Sequence, residues 1–76
     1  MKEVASSPWN YTVYLESSSG RNIITVIFFG AIDYPRSFYL SDNDVARAES
    51  IAEDIRSNYN KYVSVEVHPP VTRADS

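Results

Sequence analysis

The sequence predicts a small α+β protein, a two-layer sandwich in which one helix packs on one face of a mostly antiparallel sheet. Residues 9–16 alternate between apolar and polar side chains, residues 23–29 are almost uniformly apolar, and residues 45–59 carry apolar side chains at spacings of three and four. A period of two is typical of a half-buried strand, and a spacing of three and four is typical of one helical face. The predicted element order is β-β-β-α-β.

The first two strands, residues 9–16 and 21–29, are expected to form a hairpin. The connecting Ser17-Ser18-Ser19-Gly20 ends in the residue that most easily adopts a positive φ. One antiparallel register collects the most apolar residues on one face, and a shift by one residue would reverse both faces. The predicted pairs are Val13 with Ile24, Tyr11 with Val26, Trp9 with Phe28, Tyr14 with Ile23, and Thr12 with Thr25.

The remaining elements follow from shorter patterns. We expect a third strand over residues 36–40, and a helix that begins at Ser41 as N-cap and ends near Asn58. A last strand is predicted over residues 62–68, where Val63, Val65 and Val67 share one face and should cover the helix. Residues 1–8 and 69–76 lack any apolar period and are predicted to be flexible tails around a single domain, residues 9–68.

Composition narrows the classes of function. The 76 residues include no cysteine and carry a formal net charge of −3, which excludes disulfides and disfavours nucleic acid as a partner. The chain has no apolar stretch of membrane-spanning length, and residues 1–8 lack the apolar core of a signal peptide. We therefore expect a cytoplasmic protein. His68 is the single histidine and has no evident nucleophile or ligand set beside it, so neither catalysis nor a cofactor or metal is expected.

The candidate functional site is the sheet face opposite the helix. Residues 23–29 are apolar on both sides, yet the chain offers one helix to cover them, and an exposed apolar face on a small domain is typical of a binding surface. The alternative is that the tails or the 30–35 loop fold over this face. The predicted contact residues are Tyr14, Arg21, Ile23, Ile27, Phe29, Tyr39 and Tyr62.

The first hypothesis is therefore a non-catalytic module that binds another protein through tyrosines and aliphatic side chains. A second is a homodimer in which two open faces pair and a small ligand binds at the seam. A third is a weak nucleic-acid-binding module that stacks bases on the tyrosines, although few cations are available for phosphate contacts. An enzyme is the least favoured class.

The layout resembles small phage-encoded host-takeover proteins, such as the RNA polymerase inhibitor of T7-type phages and several anti-CRISPR proteins. The likeness lies in the strand over residues 9–16 with its Ser-rich turn, the strand to Phe29, the helix from Ser41 and the closing segment 63–69. Those proteins are short, acidic, poor in cysteine and non-enzymatic. The resemblance implies an inhibitor, encoded by a phage or mobile element, that acts by covering a surface on a host protein.

Overall fold

The computed structural model describes residues 1–72 and contains one antiparallel sheet with an α-helix on one face. Each strand pairs with the next one in the sequence, so the spatial order is β1-β2-β3-β4-β5. This confirms the predicted α+β class. The strands are β1 (Lys2–Ser7), β2 (Tyr11–Leu15), β3 (Asn22–Phe28), β4 (Tyr34–Leu40) and β5 (Glu66–Val67).

The helical segment begins after Ser41, as predicted, but its first part is a 3-10 helix, Asp42–Arg47, that leads into α1, Ala48–Ser57. The Ser41 hydroxyl donates to the Asp44 carboxylate at 2.9 Å instead of capping a backbone N–H. At the other end the N–H of Asn58 donates to the Asp54 carbonyl at 2.7 Å, which fixes the predicted helix end.

The core lies between α1 and the facing side of β2, β3 and β4. The helix buries its small apolar stripe against this side because alanine allows the backbone of α1 to approach the sheet closely. Tyr59 and Tyr62 then close the core by packing edge-on against Phe38, with ring centroids 6.1 and 6.2 Å away. The buried core residues are Val13, Ile24, Val26, Phe38, Leu40, Ala48, Ala52 and Ile55.

The β2–β3 hairpin has the predicted register. Tyr14 lies opposite Ile23 and Thr12 opposite Thr25, and the N–H of Glu16 donates to the Arg21 carbonyl at 2.8 Å. The predicted pair of Trp9 with Phe28 is wrong, because the strand starts only at Tyr11 and Trp9 lies in the preceding turn.

The predicted N-terminal tail is wrong as well, since residues 2–7 form the edge strand β1. This strand pairs with β2, and its register shifts between Glu3 and Ala5. Most of its side chains are exposed, so backbone pairing holds it in place and no alternating pattern is needed.

The C-terminal third also differs from the prediction of one strand over residues 62–68. Two short 3-10 helices, Tyr59–Lys61 and Val63–Val65, precede the two-residue strand β5, and the side chains of Val63 and Val65 are exposed instead of covering the helix. The segment is fastened by Glu66, whose carboxylate accepts from Arg36 at 3.0 Å and also from the Tyr59 hydroxyl. Burial raises the pKa of Glu66, but these hydrogen bonds outweigh it and hold the pKa below its ordinary value.

Candidate functional site

The sheet face opposite α1, called here the second face, is largely covered. Tyr14 and Ile23 keep 3% and 1% of their surface exposed, so the expectation that they form an open contact surface is wrong. Residues 69–72 leave β5 and lie on this face, where Val71 hydrogen-bonds to Thr25 and Ser37. The part of the predicted C-terminal tail that the structure describes is therefore a cover, and residues 73–76 lie outside the described residues.

The three most exposed large apolar side chains within residues 1–72 lie at one end of the sheet. In an antiparallel meander, the β1–β2 and β3–β4 connections lie at the same end, and they bring Trp9, Phe29 and Ile32 there. These side chains are 80%, 62% and 81% exposed. Asp33 is the one charged residue in the two connections, residues 8–10 and 29–33. We call Trp9, Phe29 and Ile32 the turn-end patch.

Trp9 is held in an unfavourable backbone conformation. The N–H of Asn10 donates to the Ser7 carbonyl at 3.0 Å and closes a β-turn with Pro8 and Trp9 at its centre. Trp9 has φ +58°; proline followed by a positive φ is the arrangement of a type II turn, in which glycine or asparagine is usual. A bulky aromatic residue in the left-handed region costs about 1 kcal/mol or more. Since the indole is exposed, core packing does not explain its presence.

Arg56 fixes this end of the sheet from α1. Its guanidinium donates to the carbonyls of Ile27 at 2.8 Å and Asn10 at 2.7 Å, and it lies 5.1 Å from the Phe29 ring centroid. The two carbonyls flank the turn that carries Trp9 and the end of β3. One side chain therefore ties the helix to both connections and places the turn-end patch on a rigid base.

A cleft of about 270 Å³ opens on the second face beside Trp9. Its floor is formed by side chains of β2, β3 and β4, and Thr72 stands at the point where the C-terminal cover enters it. The main lining residues are Glu3, Pro8, Trp9, Tyr11, Thr12, Tyr14, Thr25, Ile27, Pro35 and Thr72.

The residues predicted as a contact surface do not form one surface. Ile27 is half-buried and lines the cleft, while Phe29 belongs to the turn-end patch. Tyr39 and Arg21 lie at the opposite end of the sheet, where the guanidinium stacks 4.0 Å above the ring and donates to the hydroxyl at 3.0 Å.

Tyr62 lies on the helix side and not on the second face as predicted, because residues 62–65 do not form a strand. Its hydroxyl donates to the Asp54 carboxylate. Burial, followed by this hydrogen bond and the negative charge of Asp54, raises the pKa of Tyr62 to about 12.

Sequence reasoning missed Trp9 and Ile32 as surface residues. The alternation of residues 9–16 placed Trp9 in a strand opposite Phe28, although Pro8 directly before it is a turn signal. Ile32 is an isolated aliphatic residue in a loop after Gly30, and no periodic pattern indicates its role.

No group of three or more acidic or histidine side chains within residues 1–72 is arranged to hold a metal ion. In the same part of the chain, no helix has the length and apolar character that a membrane crossing requires. Comparisons with known proteins give no relative: no family model, curated protein or solved structure matches this chain.

Proposed function

We propose that this chain is a non-catalytic protein-binding module that docks on its partner through the turn-end patch. The observation that carries the proposal is Trp9, an exposed indole on a strained turn. Backbone strain of this kind clusters at functional sites, which supports a role in binding. Trp is also the residue type most enriched among the side chains that dominate binding energy at interfaces.

The surroundings of Trp9 suit a protein surface. Docking of the turn-end patch would desolvate one charged residue of the two connections, Asp33, so the cost of removing water is small. Because Arg56 holds both connections on α1, little ordering entropy is lost on binding. An inhibitor that covers a partner's surface, as the resemblance to phage host-takeover proteins implies, would need no further chemistry.

The test compares two double variants as immobilised baits in bacterial lysates, with retained proteins quantified by mass spectrometry. Trp9→Ser/Ile32→Ser removes the turn-end patch, and Val63→Ser/Val65→Ser removes exposed apolar side chains elsewhere. We expect a protein retained by the wild type and the control, and weakened by about 100-fold for the patch variant. Equal retention by the patch variant would contradict the proposal.

The complex can then be followed through its own chromophore, because Trp9 is the single tryptophan. Its fluorescence should shift to shorter wavelength when the purified partner covers the indole.

Light scattering over a concentration series tests the homodimer hypothesis on the same variants. A wild-type dimer that the patch variant converts to a folded monomer would assign the patch to a second copy instead of a foreign protein.

A further inference from the structure

Arg56 differs from the other arginines that the structure describes. Arg21, Arg36 and Arg47 each form an ion pair with a carboxylate, whereas no acidic side chain of residues 1–72 pairs with Arg56. An arginine side chain remains charged under all ordinary conditions. The half-buried guanidinium of Arg56 therefore carries a positive charge that no ionised side chain in this part of the chain neutralises.

The hydrogen bonds of Arg56 use only part of its donor capacity. Nε donates to the Ile27 carbonyl and Nη2 to the Asn10 carbonyl, which leaves Nη1 and its N–H groups without a hydrogen-bond partner among residues 1–72. The two carbonyls and the C-terminal end of α1 offset the charge in part, because they carry partial negative charges. They explain how the guanidinium is oriented, but they do not supply a full negative charge.

The guanidinium lies at the border between the turn-end patch and an open polar surface. On one side it is 5.1 Å from the ring centroid of Phe29, which is itself exposed. On the other side a shallow depression of about 530 Å³ is lined by residues 56–61, and none of these residues is acidic. An anion that approaches the patch from this side therefore meets donors and a positive charge.

We propose that the partner docked on the turn-end patch presents a carboxylate, from an aspartate or glutamate flanked by apolar side chains, that pairs with Arg56. The apolar flanks cover Trp9, Phe29 and Ile32, and the carboxylate accepts from the N–H groups of Nη1. This assignment rests on the proposed function, since it names the chemistry of the partner at the same patch. A hydrogen bond between a guanidinium and a carboxylate is charge-assisted, and it gains strength where apolar neighbours exclude water.

A carboxylate fits this place better than the phosphates of a nucleic acid. Phosphate binding gains from several cations along a surface. The patch borders one unpaired cation within residues 1–72, Arg56, while Asp33 adds a negative charge on the β3–β4 connection. A single carboxylate needs one guanidinium, so the unpaired charge and the apolar patch together point to an acidic side chain within an apolar protein surface.

The test changes the charge on the ligand, because Arg56 also holds the backbone of both connections and its replacement would disturb the fold. The probes are a capped tripeptide Leu-Glu-Phe and its neutral counterpart Leu-Gln-Phe, titrated into the isotope-labelled full chain and followed by NMR. We expect saturable shifts of the Trp9 indole N–H and the Arg56 Nε–H, with a dissociation constant in the millimolar range for the glutamate peptide. The glutamine peptide should bind about tenfold more weakly.

Three variants locate the effect. Trp9→Ser/Ile32→Ser removes the patch and should abolish binding of both peptides. Lys2→Gln removes an exposed cation at the opposite end of the sheet, and it should leave the difference between the peptides unchanged because distant exposed charges are screened. Asp33→Asn removes a negative charge from the β3–β4 connection and should bind the glutamate peptide at least as tightly as the wild type does.

Equal binding of the two peptides, with shifts at Trp9, would overturn the carboxylate assignment and leave the turn-end patch as a docking surface. Absence of saturable shifts at both N–H groups would also overturn the assignment, and so would a charge preference that survives loss of the patch or disappears in Lys2→Gln. Tighter binding of a thymidine decamer would assign Arg56 to a nucleic acid instead. Failure of the proposed function is seen separately, as equal retention of the lysate protein by the patch variant.

Discussion

The two turns that flank β2 adopt similar backbone angles with opposite kinds of residue. Gly20, in the turn before β3, has φ +70°, and Trp9, in the turn after β1, has φ +58°. At Gly20 a Cβ would meet no atom within 4 Å, so glycine is there for its backbone freedom alone. At Trp9 the same backbone region holds the largest side chain available, pointing into solvent.

The two turns also differ in their surroundings, which are polar and mutually hydrogen-bonded at Gly20 and apolar and exposed at Trp9. At the Gly20 end polar groups satisfy one another: Arg21 stacks on Tyr39, and the Asn22 side chain donates to the Asp42 carboxylate at 2.5 Å. At the Trp9 end Arg56 hydrogen-bonds to the backbone, and the side chains of the turn-end patch remain exposed to solvent. This contrast is the basis of the proposal that the Trp9 end is a recognition surface, whereas the Gly20 end serves the fold.

Removing the anchor of the Trp9 end should have the largest effect on stability. Arg56→Met takes a charged donor from the carbonyls of Ile27 and Asn10, and we expect the free energy of unfolding to fall by about 2–3 kcal/mol. Arg21→Met at the Gly20 end removes an exposed guanidinium and should change it by less than about 0.5 kcal/mol. Urea denaturation measures both, and equal losses would contradict the contrast.

The buried carboxylate of Glu66 should make stability depend on pH. The pKa of Glu66 is held below its ordinary value of 4.5. Its contribution to the free energy of unfolding is therefore complete above pH 4.5 and is lost as the pH falls through the lowered pKa. Glu66→Gln should lower the free energy of unfolding by about 2 kcal/mol at pH 7, because Arg36 loses its buried partner. The melting temperature of this variant, measured against pH, should also fall less steeply on the acid side than that of the wild type.

The matched control is Glu16→Gln at the Gly20 end, where the carboxylate lies 3.8 Å from an exposed Arg21. Glu16→Gln should lower the free energy of unfolding by less than about 0.5 kcal/mol. An acid limb that is unchanged in Glu66→Gln would show that another group controls it.

Gly20→Ala tests the cost of the left-handed backbone by itself. Since the added methyl group meets no neighbour, the loss of about 1 kcal/mol should come from backbone conformation alone. The midpoint of urea unfolding should fall with an unchanged slope. Ser18→Ala in the same exposed turn is the control, and it should have no measurable effect.

Trp9→Gly should have the smallest effect on stability, in the opposite direction. Relief of strain at φ +58° should raise the free energy of unfolding by about 0.5–1 kcal/mol, because the exposed indole contributes little packing. The same change should weaken partner binding as strongly as loss of the whole patch. A destabilised Trp9→Gly protein would mean that the indole serves the fold.

The sequence predicted correctly those elements whose apolar pattern marks the side that they bury in the fold. The β2–β3 register followed from one apolar face, and α1 followed from its stripe of Ala48, Ala52 and Ile55. Strand β1 could not be predicted because an edge strand is held through its backbone, which leaves its side chains free to be polar. The Val71 anchor escaped prediction for the same reason, since Thr25 and Ser37 contact its main chain.

The predicted contact surface was misplaced. Of its residues, Phe29 is exposed and belongs to the turn-end patch, from which we propose binding. The sequence could not show that Val71 packs on Thr25 and Ser37, because a short segment without an apolar period carries no signal of where it packs. Trp9 was predicted to pair with Phe28 in the hairpin because the alternation extends into the turn that begins at Pro8.

The two borders of the sheet have a consequence for how this protein behaves at high concentration. On one side β5 offers two residues of pairing, and on the other the register shift in β1 falls next to Lys2 and Glu3. Within residues 1–72, neither border presents a long regular row of free N–H and C=O groups on which a neighbouring molecule could add a strand. Interrupted borders of this kind disfavour strand addition between molecules, which is the usual route by which exposed sheet edges aggregate.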